Sequence, residues 1–270
     1  MKEFFGIGGY ARPAEGFLSW QHLLFVSILT MIMILSAVIL GKKNRTAPLS
    51  SKNRVLIVSA ILIDAIEIAK IIFMCFRSGN PTTWLYELPL FLCSIQLITL
   101  PLAAFSHGRT KEAALDFVCI FGVLGAISGT YLAGNNYGSY PVLCFDNVVS
   151  GITHMISGFA SLYIFLVGMA SMKKKNILFT FSILIGFCAA AYLANIIVDY
   201  NYMFLMGGDG TPYDILFDLV NGHNVIYPLS VVALFLLYIS GFYAVYFFLT
   251  GKRSHARREL AAPAETQNIA

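Results

Sequence analysis

Residues 20–40 read WQHLLFVSILTMIMILSAVIL and contain no acidic or basic residue apart from His22. The run is as long as the roughly 20 residues that a helix needs to cross a bilayer. It is too long for the core of a signal peptide and has no small-residue cleavage site before the basic segment Lys42 to Arg45. We therefore interpret it as a retained membrane span.

Similar apolar runs recur along the rest of the chain, at about 54–76, 85–105, 113–133, 147–171, 177–198 and 225–249. The 270 residues are 58% hydrophobic and only 12% charged, whereas a soluble domain carries about 25% charged residues. The sequence predicts an all-α polytopic membrane protein with seven transmembrane helices. We expect one domain over residues 1–251, followed by a basic, disordered cytoplasmic tail over residues 252–270.

Basic residues are distributed unevenly between the two sets of connections. Most Lys and Arg residues outside the predicted spans follow spans 1, 3 and 5 or lie in the tail, whereas the other side holds only Lys2, Arg12 and Arg77. The positive-inside rule then places the N-terminus outside and the C-terminus in the cytoplasm of a multi-pass cell-membrane protein. This explanation of the basic tail is stronger than nucleic-acid binding, so no nucleic-acid partner is predicted.

Polar groups that are costly to hold in hydrocarbon interrupt the apolar runs, and such groups normally line a site. They are Asp64, Glu67, Lys70, Glu87, Cys93, His154, Asn195 and Asp199. A rise of 1.5 Å per residue places Cys93 about 12 Å and His154 about 11 Å below the outer surface. We expect a polar pocket that opens towards the outer leaflet.

Cys93 is the best nucleophile in this set, but an apolar environment suppresses the reactive thiolate. His154 is the natural base, Lys70 can favour the thiolate electrostatically, and Gln96 or Asn195 can donate to an oxyanion. Two simpler interpretations stay open. A buried cysteine often serves only as a small apolar filler, and Glu67 with Lys70 can form a purely structural ion pair.

The longest external connection, about residues 199–224, contains a short helix signal. Thr211 suits the N-cap and Pro212 the first helical position, and apolar residues follow at helical spacing until Asn221 and Gly222. We expect an amphipathic interfacial helix, which is either a lid or an inert connection.

The sequence predicts no metal and no cofactor. The five cysteines are scattered without metal-ligand spacing. Neither a phosphate-binding glycine loop nor an HExxH motif occurs, and Gly6 to Gly9 lack the flanking strand and helix that such a loop requires.

Three motifs together resemble a known family: ELPLFLCS over residues 87–94, His154 early in the fifth apolar run, and Asn195 followed by NYMFL over residues 201–205. They resemble the YwaF-type integral membrane family, to which the transmembrane protein 164 acyltransferases are related. The resemblance implies seven helices and a Cys/His pair that moves fatty acyl groups through a thioester, with Cys93 and His154 in those places. Phe91 stands where family members commonly carry a histidine.

Our first hypothesis is a membrane-embedded acyltransferase or lipid hydrolase that uses Cys93 and His154 on a membrane phospholipid or fatty acyl ester. The predicted binding and support residues are Glu67, Lys70, Glu87, Gln96, Asn195, Asp199, Asn201 and Tyr202. The alternative is a transporter or a small-ligand-binding membrane protein, in which Glu67, Lys70 and His154 bind a solute or relay protons.

Overall fold

The computed structural model describes residues 2–261, and every regular element in that range is helical. The α-helices are α1 (Lys2–Phe5), α2 (Trp20–Asn44), α3 (Leu49–Ser78), α4 (Gln96–Phe105), α5 (Gly108–Tyr131), α6 (Gly134–Ser139), α7 (Phe145–Leu166), α8 (Ile177–Val198), α9 (Asp214–Leu219) and α10 (Ile226–Ala261). α10 continues ten residues past the predicted domain boundary at residue 251, and residues 262–270 of the predicted tail lie outside the described residues.

Within the described range, five helices are long and apolar enough to cross a membrane, not the seven that the sequence predicted. They are α2, α5, α7, α8 and α10. The chain is therefore a multi-pass membrane protein, and its orientation in the membrane stays a prediction.

Two of the predicted spans do not meet the requirements for crossing a membrane, each for a different physical reason. α3 has 30 residues, but Asp64, Glu67 and Lys70 interrupt its apolar surface, and each charge in hydrocarbon is costly. The predicted span at 85–105 is helical only over Gln96–Phe105, after a 3₁₀ turn at Thr83–Tyr86 and an irregular stretch. Ten residues rise only about 15 Å, half the thickness of the hydrocarbon core.

α5 and α7 form the centre of the bundle, because small residues let their backbones approach closely. A Cβ atom on Gly122 of α5 would lie 2.6 Å from the Ser161 Cβ of α7, and Ser161 Oγ donates to the Cys119 carbonyl at 2.8 Å. A Cβ on Gly158 would likewise overlap Met33 of α2. The close contacts of α7 with both neighbours therefore depend on glycine.

Residues 2–19 are fastened to one end of the bundle, which we call the N-terminal end. Both Arg77 amino groups donate to the Asp146 carboxylate, at 2.7 and 2.9 Å, which joins the end of α3 to the start of α7. The Tyr10 hydroxyl donates to the same carboxylate at 2.6 Å, and Arg77 also donates to the Phe5 carbonyl. The bidentate ion pair of Arg77 with Asp146 thus joins α3, α7 and the N-terminal segment.

The predicted loop helix is present as α9, but it begins at Asp214. Thr211 accepts from the Tyr213 N–H at 3.4 Å in the turn before the helix. Tyr213 stacks on Phe204 with ring centroids 5.2 Å apart, and Phe217 contacts Tyr227 of α10. These aromatic contacts hold the connection against the N-terminal end of the bundle.

Candidate active site

Cys93 lies in the tight turn that leads into α4. The Phe91 N–H donates to Ser94 Oγ at 2.9 Å, and the Ile95 N–H donates to the Phe91 carbonyl at 3.0 Å, which closes the turn. The N–H groups of Cys93 and Ser94 lie close enough to the Cys93 sulfur to favour negative charge on it. Backbone donors at the start of a helix stabilise negative charge, so the turn suits a thiolate or an oxyanion.

His154 of α7 is the neighbour of this thiol, and their side chains interact. Its Nδ1 lies 2.7 Å from the Ser150 carbonyl oxygen. Since a carbonyl oxygen only accepts, Nδ1 carries the proton and Nε2 presents a lone pair. Nε2 is buried and has no hydrogen-bond partner in the described part of the chain. A free, oriented basic nitrogen therefore lies beside the thiol.

α5 forms the floor under both groups, and sequence reasoning missed it. A Cβ atom on Gly125 would lie 3.2 Å from Cα and Cβ of Cys93, and one on Gly129 would overlap the His154 ring at Nε2. The two glycines are four residues apart and so share one helix face. The sequence did contain a signal for this contact, because two glycines four residues apart form a motif that lets membrane helices approach closely.

Glu67, Lys70 and Glu87 form a single ionic cluster. Lys70 Nζ lies 2.5 Å from Glu67 Oε1 and 2.9 Å from Glu87 Oε2, and all three side chains are largely buried. With all three ionised, the cluster carries one net negative charge. Glu67 is close enough to His154 to interact with it electrostatically, so the cluster favours the imidazolium that would form when the thiol ionises.

Gln96, one turn after Cys93, is fully buried. Its Oε1 accepts from Thr99 Oγ1 at 3.2 Å, but its Nε2 has no partner among the described residues. Ser157, one turn after His154, has a buried Oγ that likewise lacks a partner in this range. A buried donor without a partner costs free energy, so a substrate oxygen that accepted from either group would be stabilised.

Asn195, by contrast, is not placed to stabilise an oxyanion. Its Nδ2 donates to the Tyr202 carbonyl at 3.1 Å, and its Oδ1 accepts from the Tyr202 N–H at 2.6 Å. The Tyr202 hydroxyl in turn donates to the Leu85 carbonyl. This chain of bonds ties α8 to the stretch before Cys93, so Asn195 and Tyr202 position that stretch.

Asn201 and Asp199 lie in the connection that follows α8. Asn201 Nδ2 donates to Gly207 O at 2.8 Å and to Asp209 Oδ2 at 2.7 Å, and its Oδ1 accepts from the Met206 N–H. Asp199 ends α8 in the left-handed conformation with φ 55°, and its side chain is exposed. The hydrogen bonds of Asn201 therefore lie within the connection, and a role for either residue in substrate binding stays a prediction.

Aromatic side chains surround Phe91, which stands where the resembled family commonly carries a histidine. Phe91 contacts Tyr200, Tyr202 and Phe204 with ring centroids 6.2, 5.3 and 5.8 Å apart. Tyr213, which lies near Cys93, is a further residue that the sequence did not indicate, and burial raises the pKa of Tyr213 to about 12. Its phenol therefore stays protonated at neutral pH and can act as a donor.

Comparison with known proteins gives one match. The TMEM164 family profile matches residues 17–252, which supports the resemblance at the level of that family, whereas the YwaF-type assignment stays a prediction. No curated protein and no solved structure matches the chain. The matched range covers Cys93, His154, the ionic cluster and the NYMFL segment.

Proposed function

This chain belongs to the TMEM164 family, and we propose that it is a membrane-embedded acyltransferase that carries the acyl group as a thioester on Cys93. Association of the family with acyltransferase activity supports the reaction type. The observation that carries the proposal is the His154 ring, which lies close enough to Cys93 to interact with it, whose Nδ1 is fixed by the Ser150 carbonyl and whose Nε2 is left without a partner in the described residues. The proposed substrate is a membrane phospholipid or another fatty acyl ester.

In the first half-reaction, Cys93 passes its proton to His154 Nε2, and the thiolate attacks the ester carbonyl carbon. A carbon–sulfur bond forms while the carbonyl becomes an oxyanion, for which Gln96 Nε2 and the Cys93 and Ser94 N–H groups are the available donors. The ester carbon–oxygen bond then breaks. The imidazolium returns the proton to the leaving alkoxide, and the acyl group stays on sulfur.

The second half-reaction reverses these roles. A lipid hydroxyl, or water in the hydrolytic version, gives its proton to Nε2 and attacks the thioester carbonyl. The carbon–sulfur bond breaks and the protonated imidazole restores the thiol. Glu67 stabilises the imidazolium in both halves through its charge, so it acts on the reaction through His154 and is a positioning residue.

The transporter or ligand-binding alternative has weaker support. Lys70 and the two glutamates already pair with one another at 2.5 and 2.9 Å, so the charges expected to bind a solute are occupied within the protein. Uptake into proteoliposomes that survives Cys93→Ala but fails with Glu67→Gln would favour this alternative.

The test is formation of the thioester. Purified protein is incubated with a phospholipid that carries an alkyne-tagged fatty acyl chain, and labelled protein is measured before and after neutral hydroxylamine, which cleaves thioesters. We expect hydroxylamine-sensitive labelling that Cys93→Ala abolishes and that His154→Gln slows by about 10² to 10⁴-fold.

Cys75→Ala is the matched control, since this half-buried cysteine lies at the end of α3 and donates to Pro81 O. It should label as the wild type does. Equal labelling of the wild type and Cys93→Ala would refute the proposed nucleophile.

A further inference from the structure

A groove opens between α2 and α3 at the end of the bundle opposite to the N-terminal segment. Both helices pack on α7 but make few contacts with each other, so α7 forms the floor of the gap. The cavity has a volume of about 400 Å³ and is lined by Met33, Leu40, Arg54, Val55, Val58 and Phe159, among others. This volume is within the range of small-molecule sites.

The walls of the groove are almost entirely hydrocarbon. Besides Arg54, the polar lining residues are Ser36 and Ser59. The Ser59 hydroxyl donates back to the Val55 carbonyl at 2.9 Å and so is satisfied within α3. From Arg54 to Leu62 the groove follows α3 for about 12 Å. Its shape and polarity suit a fatty acyl chain.

The mouth of the groove is strongly basic. Arg54 is exposed, and its guanidinium has neither an ion pair nor a hydrogen bond among the described residues. Lys42, Lys43 and Arg45 surround the adjacent turn, and the chain has no acidic residue between Glu15 and Asp64. Basic pockets between membrane helices favour anionic head groups, so the mouth complements a phosphate.

The groove is separate from the Cys93 site. Its inner end reaches Met33 and Met155, which also border a second gap of about 10 Å³, room for about one water molecule. Arg54 and Glu67 are thirteen residues apart on α3, which corresponds to about 20 Å. A lipid whose phosphate lies at Arg54 thus holds its ester bonds near the mouth, far from the thiol.

We propose that this groove binds an anionic glycerophospholipid, with an acyl chain along Val55, Val58 and Phe159 and the phosphate on Arg54. The lipid is bound and not consumed, and it fills the gap that α2 and α3 leave above α7. The proposal is independent of the reaction at Cys93, because the two sites share no residue.

The test uses the full chain in nanodiscs of phosphatidylcholine doped with a trace of a lipid that carries a diazirine on its acyl chain. The photoactivatable lipid is phosphatidylglycerol in one sample and phosphatidylcholine in the other. We expect stronger crosslinking by the anionic lipid, and a loss of about fivefold in Arg54→Gln. Val58→Trp, which places an indole in the groove, should reduce crosslinking by both lipids.

Two variants serve as controls. Ile61→Trp adds the same ring at a similarly exposed position of α3 that does not line the groove, and Lys43→Gln removes a charge beside the mouth. Ile61→Trp should crosslink as the wild type does. Lys43 does not line the groove, so Lys43→Gln should lose clearly less crosslinking of the anionic lipid than Arg54→Gln. All four variants should keep the wild-type thermal stability and labelling at Cys93. The proposal is overturned if the two lipids crosslink equally, if Val58→Trp has no effect, or if Lys43→Gln loses as much as Arg54→Gln.

Discussion

At the scale of single residues, the candidate site depends on two glycines, which carry only a hydrogen atom where other residues have a side chain. The Nε2 end of the His154 ring can approach α5 only because Gly129 has no Cβ, and Cys93 contacts the same helix at Gly125. Helix geometry places both glycines on one face. The reactive atoms are therefore positioned by residues that carry no functional group themselves.

Gly129→Ala tests this arrangement. The new Cβ would overlap Nε2, so the ring must move away from the thiol, and we expect thioester labelling to fall at least tenfold. Gly186→Ala and Gly241→Ala are matched controls in α8 and α10, where an added Cβ meets nothing within 4 Å. These controls should label normally and gain up to about 1 kcal/mol of stability from helix propensity. Unchanged labelling in Gly129→Ala would contradict the assigned position of His154.

At the scale of elements, the ionic cluster connects α3 with the irregular stretch before Cys93. Lys70 pairs with Glu67 on its own helix and with Glu87 on the neighbouring segment, at 2.5 and 2.9 Å. Removing one partner from a buried cluster leaves charges uncompensated, which costs more than replacing the whole cluster.

Lys70→Met should therefore destabilise the protein by about 3 to 5 kcal/mol, measured as thermal unfolding in detergent. The triple variant Glu67→Gln, Lys70→Met and Glu87→Gln should recover part of this loss, because it leaves no unpaired charge. If the triple variant is less stable than Lys70→Met, the cluster contributes more than charge compensation, and this account of it is wrong.

At the scale of the whole molecule, one carboxylate joins separate parts of the bundle at the end opposite to the N-terminal segment. Asp116 of α5 is fully buried. Its Oδ1 accepts from the N–H groups of Ser171 and Met172, at 3.0 and 2.9 Å, and its Oδ2 accepts from Asn176 Nδ2 and the Tyr243 hydroxyl, at 3.2 and 3.1 Å. Asp116 therefore connects α5, the α7–α8 connection and α10.

Asp116→Ala should leave the Ser171 and Met172 N–H groups without an acceptor, whereas Asn176 Nδ2 and the Tyr243 hydroxyl keep Ser171 Oγ and Thr180 Oγ1 as partners. Each unsatisfied buried donor costs about 1 to 3 kcal/mol, so we expect a loss of folded protein on heating that exceeds the loss for any surface variant. Glu112→Ala is the matched control, one turn earlier on α5, where the carboxylate pairs with Lys173 near the surface. Similar melting temperatures for the two variants would contradict the structural role of Asp116.

The sequence predicted the helical class and the bounds of α8, because the length and hydropathy of an apolar run suffice for both. The common depth of Cys93 and His154 stays a prediction, since the depth of Cys93 assumed a continuous helix from residue 85. Residues 85–95 do not form an α-helix, and hydropathy does not distinguish a continuous helix from a turn followed by ten helical residues. The sequence also could not distinguish the roles of Asn195 and Gln96. Whether a side-chain amide keeps a free donor depends on the hydrogen bonds that it makes in the folded protein.

The sequence by itself determined that this chain lies in a membrane and that a thiol, an imidazole and a few buried charges interrupt its apolar helices. Only the tertiary structure decided which of those groups meet. It showed that Ser150 fixes the His154 proton, that Gly125 and Gly129 make room for the pair, and that α2 and α3 stand apart over α7. The physical reason is that composition sets the free energy of transfer into lipid, whereas contacts depend on how helix faces pack.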